Sequence, residues 1–261
     1  MKEGTELISL LEKKEKLVAM LAPSFPIVYQ YPSIIGKLKR LGFSAVVEVS
    51  AGAVKTNEAL TKAIKENPDQ RFITSPCASF VRFIRSRYPH LDKYLAYTVD
   101  SPMVATAKIV AEKYPGFRPV FIGPCNVKKL EASEDYKNLN ILVLTFNEMS
   151  EVFSHFNIND DPTDQNSKFD IEAKETRLYP ISGGLAQSSG ARELLSEDQI
   201  QVVSGPKNCV QAIENFEKNT NVKLLDILFC DGGCINGSGI SSPLSIEERR
   251  KKITDYWTQN P

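Results

Sequence analysis

Apolar and polar positions along this chain follow two alternating patterns. Short, nearly continuous apolar runs are typical of strands buried in a parallel sheet, and segments with an apolar residue every three or four positions are typical of amphipathic helices. We predict about eight strands, near residues 17–24, 45–50, 71–75, 119–123, 141–146, 178–182, 200–203 and 224–229. We predict helices near residues 6–16, 32–41, 55–65, 78–88, 101–114 and 245–257, and one more that contains Met149 and Phe153. Ser245 and Glu248 form a predicted capping box at the start of the last helix.

The alternation of strands and helices predicts an α/β fold with mainly parallel sheet. About eight strands are too many for one small unit, so we expect two lobes, each with a mainly parallel sheet of about four strands flanked by helices. The predicted domain covers residues 1–261, with lobes near 1–115 and 116–225 and a closing segment at 226–261. Nearly every strand ends in small, Pro, Gly or Cys residues, and ligands of open α/β sheets bind at that end.

Composition narrows the class of protein. The 261 residues are 42% hydrophobic and 25% charged, with a formal net charge of zero, as in an ordinary soluble globular protein. Zero net charge argues against nucleic acid or an anionic membrane as the main partner. No apolar run reaches the roughly 18 residues of a transmembrane helix, and the first residues lack the apolar core of a signal peptide. We therefore expect a cytoplasmic protein whose five cysteines serve thiolate or metal chemistry rather than disulfides.

Four of the cysteines lie where predicted strands end. Cys77 and Cys125 stand alone, whereas Cys230 and Cys234 share a glycine-rich loop after the last strand. Glycine lets such a loop fold closely around a bound group. Cys209 lies at helical spacing in an apolar segment, which indicates a buried structural thiol.

The spacing of these four cysteines leaves three alternatives open. A structural zinc site usually has two tight pairs of ligands, but two of the cysteines here are isolated in the sequence. A [4Fe–4S] cubane needs four thiolates and tolerates ligands that only the tertiary fold brings together. The spacing therefore favours iron–sulfur over zinc, and unrelated buried cysteines are the third alternative.

Three segments carry a family resemblance. Residues 74–77 read Thr-Ser-Pro-Cys, residues 123–129 read Gly-Pro-Cys-Asn-Val-Lys-Lys, and residues 229–237 read Phe-Cys-Asp-Gly-Gly-Cys-Ile-Asn-Gly. In order and spacing they resemble the three signature motifs of the [FeFe]-hydrogenase catalytic domain. Residues 22–24 and 182–185 extend the resemblance, so that it covers most of the chain.

The resemblance implies a [4Fe–4S] cluster held between two α/β lobes. Its ligands would be Cys77, Cys125, Cys230 and Cys234. In catalytic members of the family the last of these cysteines also bridges to a diiron subsite that carries CO and cyanide.

The resemblance also implies further cofactor contacts. Lys128 corresponds to a motif lysine that hydrogen-bonds a cyanide, and an ammonium suits an anionic cluster. Pro23, Ser24 and Gly233 are expected to lie against the cofactor. Without the resemblance, Lys128 and Lys129 would be interpreted as an exposed pair at a helix start.

The chain departs from the family around the expected diiron position. Catalytic members have two adjacent cysteines in the first motif, and the first of them carries protons; here that residue is Pro76, which has no proton to exchange. Two motif methionines are replaced by Gly123 and Leu228, and Ser238 interrupts the glycine run after the last cysteine. We therefore expect a cluster-binding protein for redox or hydrogen sensing or electron transfer, rather than for fast hydrogen turnover.

Two other functions stay open at this stage. One is an active hydrogenase with a rerouted proton path, and the other is a structural metal-binding or metal-free interaction module. The sequence contains no ferredoxin-like domain, so either the chain is part of a longer protein or electrons arrive from a partner such as a ferredoxin-like protein. The resemblance also implies signalling partners with PAS or kinase/phosphatase modules.

Overall fold

The computed structural model describes residues 2–259, and its strands form two parallel sheets. The strands are Leu17–Leu21 (β1), Ala45–Glu48 (β2), Phe72–Ile73 (β3), Arg118–Gly123 (β4), Leu142–Thr145 (β5), Ile200–Ser204 (β6) and Leu224–Leu228 (β7). The α-helices are Lys2–Glu12 (α1), Ser33–Leu41 (α2), Ser50–Glu66 (α3), Ala78–Arg87 (α4), Pro102–Lys113 (α5), Lys128–Leu130 (α6), Phe146–His155 (α7), Gly184–Ser188 (α8), Ala191–Leu194 (α9), Pro206–Phe216 (α10) and Ile246–Gln259 (α11).

The two sheets confirm the predicted α/β class. One has four strands in the order β2-β1-β4-β5, the other has three in the order β3-β7-β6, and all pairs are parallel. Parallel neighbours need a crossover, and helices supply it here. Neither sheet matches a predicted lobe, because β4 pairs with β1 across the expected boundary near residue 115 and β3 pairs with β7.

Burial explains why the strands read as apolar runs. All five residues of β1 and all five of β7 are buried, as expected for parallel strands covered on both faces. Helix α5 packs on β1 and β4, α7 on β4 and β5, and α10 on β6. Within residues 2–259, every helix is too short or too polar to cross a bilayer.

The strand predicted near residues 178–182 is absent. The backbone there turns repeatedly, with N–H to O bonds of 2.9 Å from Ile181 to Leu178 and from Gly184 to Ile181. Pro180 cannot donate to a ladder, and one antiparallel bridge from Ile181 to Gly233 is the segment's sheet-like contact. Its apolar side chains are buried all the same, which is why the run resembles a strand.

Helix boundaries were predicted less well than helix positions. Helix α3 begins at Ser50 rather than near residue 55, and α1 covers Lys2–Glu12 rather than 6–16. The capping box before α11 is confirmed: the Glu248 N–H donates to Ser245 Oγ at 3.3 Å, and the Ser245 N–H donates to Glu248 Oε2 at 2.7 Å.

A buried polar cluster fixes α11 against the four-stranded sheet. Arg177 Nε donates to Glu48 Oε1 at 2.9 Å, and the Tyr256 hydroxyl donates to the same oxygen at 2.7 Å. Arg177 Nη2 also reaches Glu172 at 2.7 Å. The side chains of Arg177 and Glu48 are both 0% exposed, so each charge depends on its partners.

We expect Arg177→Met to lower the free energy of unfolding by about 3–5 kcal/mol, because it leaves the Glu48 carboxylate buried without its cation. Urea unfolding followed by circular dichroism measures the change. Arg192→Met is the matched control, since the Arg192 side chain is 54% exposed and its pairing with Glu197 spans 3.7 Å. Surface pairs contribute about 0–1 kcal/mol. Equal losses at the two positions would contradict a stabilising role for the buried cluster.

Candidate metal centre

Three cysteines lie at the carboxyl end of the three-stranded sheet. Cys77 follows β3 and precedes α4, while Cys230 and Cys234 follow β7. Strands β3 and β7 are neighbours, and the Ile227 N–H donates to Thr74 Oγ1 at 3.1 Å where the two strands end. The pairing therefore brings Cys77 beside the loop that carries the other two thiols.

Cys125 comes from the four-stranded sheet. It follows β4, and contacts between the sheets hold its loop against the other cysteines. Lys128 Nζ donates to the Pro76 carbonyl at 3.0 Å, and the Gly239 N–H donates to the Pro124 carbonyl at 2.8 Å. The site is thus assembled at the junction of the two sheets.

The thiols are electrostatically coupled to one another. Burial, with repulsion from the Cys77 and Cys125 thiolates, raises the pKa of Cys230 to about 12. Burial is also the main cause that raises the pKa of Cys77 and of Cys234, and the other three thiolates raise that of Cys234 further. The thiols of Cys77, Cys230 and Cys234 are therefore desolvated, and a bound cation would have to displace their protons.

The thiols do not converge on one point. Within residues 2–259, no three His, Cys, Asp or Glu side chains are close enough together to hold a single metal ion. The four cysteines surround a region instead of a single coordination point.

Backbone hydrogen-bond donors already point at the sulfur of Cys77, and a hydroxyl contacts the sulfur of Cys125. The Phe229 N–H donates to Cys77 Sγ at 3.5 Å, and the Phe80 backbone donates to the same sulfur. Ser79 Oγ lies 3.8 Å from Cys125 Sγ. Such bonds stabilise thiolate charge and tune the potential of a bound cluster.

A cavity of about 80 Å³ adjoins Cys125 and Cys234. The predicted residues Pro23, Ser24 and Lys128 all line it. Ser24 is 1% exposed, and its hydroxyl has no hydrogen-bond partner among the described residues.

Lys128 is partly buried and ion-paired. Its Nζ lies 2.5 Å from Glu131 Oε2, and the two side chains are 11% and 9% exposed. Lys129 pairs with Glu148 at 2.5 Å. The alternative of an exposed lysine pair is therefore wrong. Burial raises the pKa of Cys234 and the Lys128 ammonium partly offsets that rise, so the charge of Lys128 reaches the thiols.

Gly233 shapes the cysteine loop. Its φ is 107°, and a Cβ there would lie 2.5 Å from the Pro180 carbonyl oxygen, so only glycine fits. Its N–H donates to the Cys230 carbonyl at 3.0 Å. In the structure this residue sets the backbone path between the two cysteines, and the expected cofactor contact stays a prediction.

The departures from the family pattern meet at the cavity. Pro76 and Leu228 both line it. The Phe121 ring lies against Gly123, where a Cβ would come within 2.4 Å of a ring carbon. A larger side chain at position 123 would have to displace this ring.

Two residues of the site were missed from the sequence. Glu131 lies three positions after Lys128, a spacing that pairs side chains on one helical face. Asp226 is a single charge inside an apolar strand, which is unusual for a parallel strand covered on both faces. Asp226 is 2% exposed, and burial raises its pKa to about 6.

Cys209 lies on a helix instead of in a loop after a strand, although, beside burial, the Cys77 and Cys230 thiolates are near enough to raise its pKa. It lies on α10, is 0% exposed, and donates through Sγ to the Leu228 carbonyl at 3.5 Å. Burial raises its pKa to about 12. These features confirm the expectation of a buried structural thiol.

Comparison with known proteins places this arrangement among iron proteins. The family model described as "Iron only hydrogenase large subunit, C-terminal domain" matches residues 15–238. A curated relative, the cytosolic Fe-S cluster assembly factor NAR1 of Encephalitozoon cuniculi (strain GB-M1), is 27% identical over an alignment of 187 residues. The match covers 64% of this chain and 51% of the relative. The chain thus spans about half the length of this relative.

Solved structures share the fold. One of these structures concerns oxygen inactivation of an [FeFe]-hydrogenase through its H cluster 2Fe subcluster. This structure matches with a TM-score of 0.72 and 17% sequence identity, and the match covers 96% of this chain and 88% of the hydrogenase chain. The [FeFe]-hydrogenase HydA1 from Chlamydomonas reinhardtii has a TM-score of 0.71 at the same identity and coverage. At this identity the likeness describes the fold alone.

Serine substitutions test the ligand assignment. The variants are Cys77→Ser, Cys125→Ser, Cys230→Ser and Cys234→Ser. Each substitution should weaken retention of iron and sulfide after anaerobic reconstitution by at least about tenfold. Mutation of a residue that only supports a metal ligand already lowers metal affinity about 10–100-fold, and these substitutions remove a ligand itself. Cys209→Ser makes the same change at a buried thiol and should leave retention unaltered. Loss in Cys209→Ser with retention in Cys77→Ser would contradict the assignment.

Proposed function

Because this chain belongs to the family of the C-terminal domain of the iron-only hydrogenase large subunit, we propose that it binds a [4Fe–4S] cluster and exchanges electrons without turning over hydrogen. The proposed ligands are Cys77, Cys125, Cys230 and Cys234. The observation that carries the proposal is the convergence of these thiols, from three strand ends, on one desolvated region.

The geometry supports a cluster in preference to a single ion. A cubane offers four iron corners, so its thiolates bind at separate points around it. Four thiols that come from three strand ends and act on one another electrostatically fit this requirement. A tetrahedral zinc ion would instead need all four sulfurs at about 2.3 Å from one centre.

When bound, the cluster supplies one-electron redox chemistry. The protein's own residues set its surroundings. The N–H of Phe229 donates to the sulfur of Cys77, and the Lys128 ammonium offsets negative charge beside Cys234. Both features stabilise thiolate ligands and an anionic cluster.

The side chains around the cavity favour a site without a diiron subsite. The Lys128 ammonium is held by Glu131 and the Pro76 carbonyl, instead of being free for a cyanide. The Ser24 hydroxyl, which has no hydrogen-bond partner among the described residues, is a feature that favours such a group. The charge pairing of Lys128 outweighs it.

Proton supply also argues against hydrogen turnover. Hydrogen chemistry needs a proton at the metal in every cycle. A positioned acid or base raises the reaction rate about 10²- to 10⁴-fold. Pro76 lines the cavity at the position of the family's proton-carrying thiol and has no exchangeable proton. This supports electron exchange with a protein partner, such as a ferredoxin-like protein or a PAS or kinase/phosphatase signalling module.

A second candidate is a role in cluster assembly. The likeness to a cytosolic Fe-S cluster assembly factor favours it. In that case the reconstituted protein would pass its cluster to an apo-ferredoxin, which absorbance and native mass spectrometry can follow. Retention of the cluster alongside fast electron exchange would favour the redox role instead.

Cluster content tests the main proposal. Anaerobic reconstitution should give about four irons and four sulfides per chain, with a broad absorption that bleaches on addition of dithionite. Iron, sulfide and zinc assays on one sample provide the measurement. Stoichiometric zinc without sulfide would refute the iron–sulfur assignment.

Hydrogen turnover tests the absence of a diiron subsite. After exposure of the protein to the hydrogenase maturation system, its infrared spectrum should lack CO and cyanide bands. Its rate of hydrogen evolution from reduced methyl viologen should be at least about 10²-fold below that of an [FeFe]-hydrogenase matured in parallel. Stoichiometric bands with comparable activity would establish the active-hydrogenase alternative. If bands appear without activity, a gain in Pro76→Cys would assign the defect to proton transfer.

A further inference from the structure

Asp226 is a buried carboxyl that the proposed electron exchange does not yet use. It lies on β7, the central strand of the three-stranded sheet, and is 2% exposed. Its side chain lines the same cavity as the proposed ligands Cys125 and Cys234. A charge so deep in a parallel sheet usually has an ion-pair partner.

The ionised form of Asp226 has little support. Among the described residues, the Ala186 N–H, which donates to Oδ2 at 3.0 Å, is the contact that favours the carboxylate. That hydrogen bond also anchors α8, so the residue has a structural role as well. Burial outweighs the hydrogen bond and raises the carboxyl pKa to about 6.

The other groups that face Asp226 across the cavity do not neutralise it. Tyr179, from the segment before α8, donates its hydroxyl to Asn57 Oδ1 at 2.8 Å. Lys128, at the start of α6, is held by Glu131. The remaining polar groups on the cavity are the Ser24 hydroxyl after β1, the Cys125 thiol after β4 and the Cys234 thiol after β7.

We propose that Asp226 is a proton-binding site coupled to reduction of the cluster. This inference rests on the proposed cluster. An electron added to the cluster places negative charge across a desolvated cavity from the carboxylate. Charges in such surroundings interact more strongly than in water, so the proton affinity of Asp226 rises.

The step balances as follows. The oxidised cluster and the Asp226 carboxylate take up one electron and one proton, and they become the reduced cluster and the Asp226 carboxylic acid. One O–H bond forms at a carboxyl oxygen. The proton comes from solvent, and the electron comes from an added one-electron donor, dithionite.

The measurement is the midpoint potential of the reconstituted full chain between pH 5 and pH 9. There is a pH range in which the Asp226 carboxyl is ionised when the cluster is oxidised and protonated when the cluster is reduced. In that range the midpoint potential should fall by about 59 mV per pH unit, which corresponds to a tenfold change in the reduction equilibrium constant. This range begins at or above the pKa of about 6, because the negative cluster can only raise it. Below the range the acid is protonated in both states, and the potential is flat.

Asp226→Asn should make the potential independent of pH, while its amide oxygen can still accept from Ala186. Asp231→Asn is the matched control, since it removes an exposed carboxylate that also acts on Cys230. It should shift the potential and keep the slope. A flat profile in the wild type, or an unchanged slope in Asp226→Asn, would overturn the inference.

A second measurement covers failure of the variant to fold. In protein labelled with ¹³C-aspartate, reduction should produce the carbonyl band of a protonated aspartic acid in the infrared difference spectrum. Absence of this band in the wild type would also overturn the inference. If no cluster forms at all, the proposed function fails as well, whereas a cluster with a flat profile refutes only the role of Asp226.

Discussion

Burying several thiols around one region is the constraint on which the rest of this structure depends. Desolvation and mutual repulsion raise the pKa of Cys77, Cys230 and Cys234, so without metal these groups are neutral and weakly partnered. A bound cationic centre releases their protons and replaces repulsion by coordination. Cluster binding and stability at the junction of the two sheets are therefore expected to be coupled.

The scaffold meets this constraint with parallel strands. Parallel pairing of β3 with β7 puts their carboxyl ends at one edge, and β4 delivers Cys125 from the other sheet. The thiols thus come from separate parts of the chain yet meet at the junction. The buried pair of Arg177 and Glu48, together with Tyr256, holds α11 against the four-stranded sheet and keeps that framework closed.

Residues that differ from the hydrogenase pattern lie around the cavity beside the thiols. Pro76, the pairing of Lys128 with Glu131, and the Phe121 ring against Gly123 leave a small apolar space. The proposal of electron exchange without hydrogen turnover rests on these features. Burial beside the same cavity raises the pKa of Asp226 to about 6.

The sequence by itself determined the fold class, most strand positions and the grouping of four cysteines at strand ends, because apolar periodicity and motif spacing are local properties. The tertiary structure decided the rest. Residues 178–181 are buried without forming a strand, and apolar periodicity cannot distinguish a buried turn segment from a buried strand. The pairing of β3 with β7 depends on long-range contacts. So do the size of the cavity and the desolvation of Asp226, because both are set by side chains that meet from distant segments.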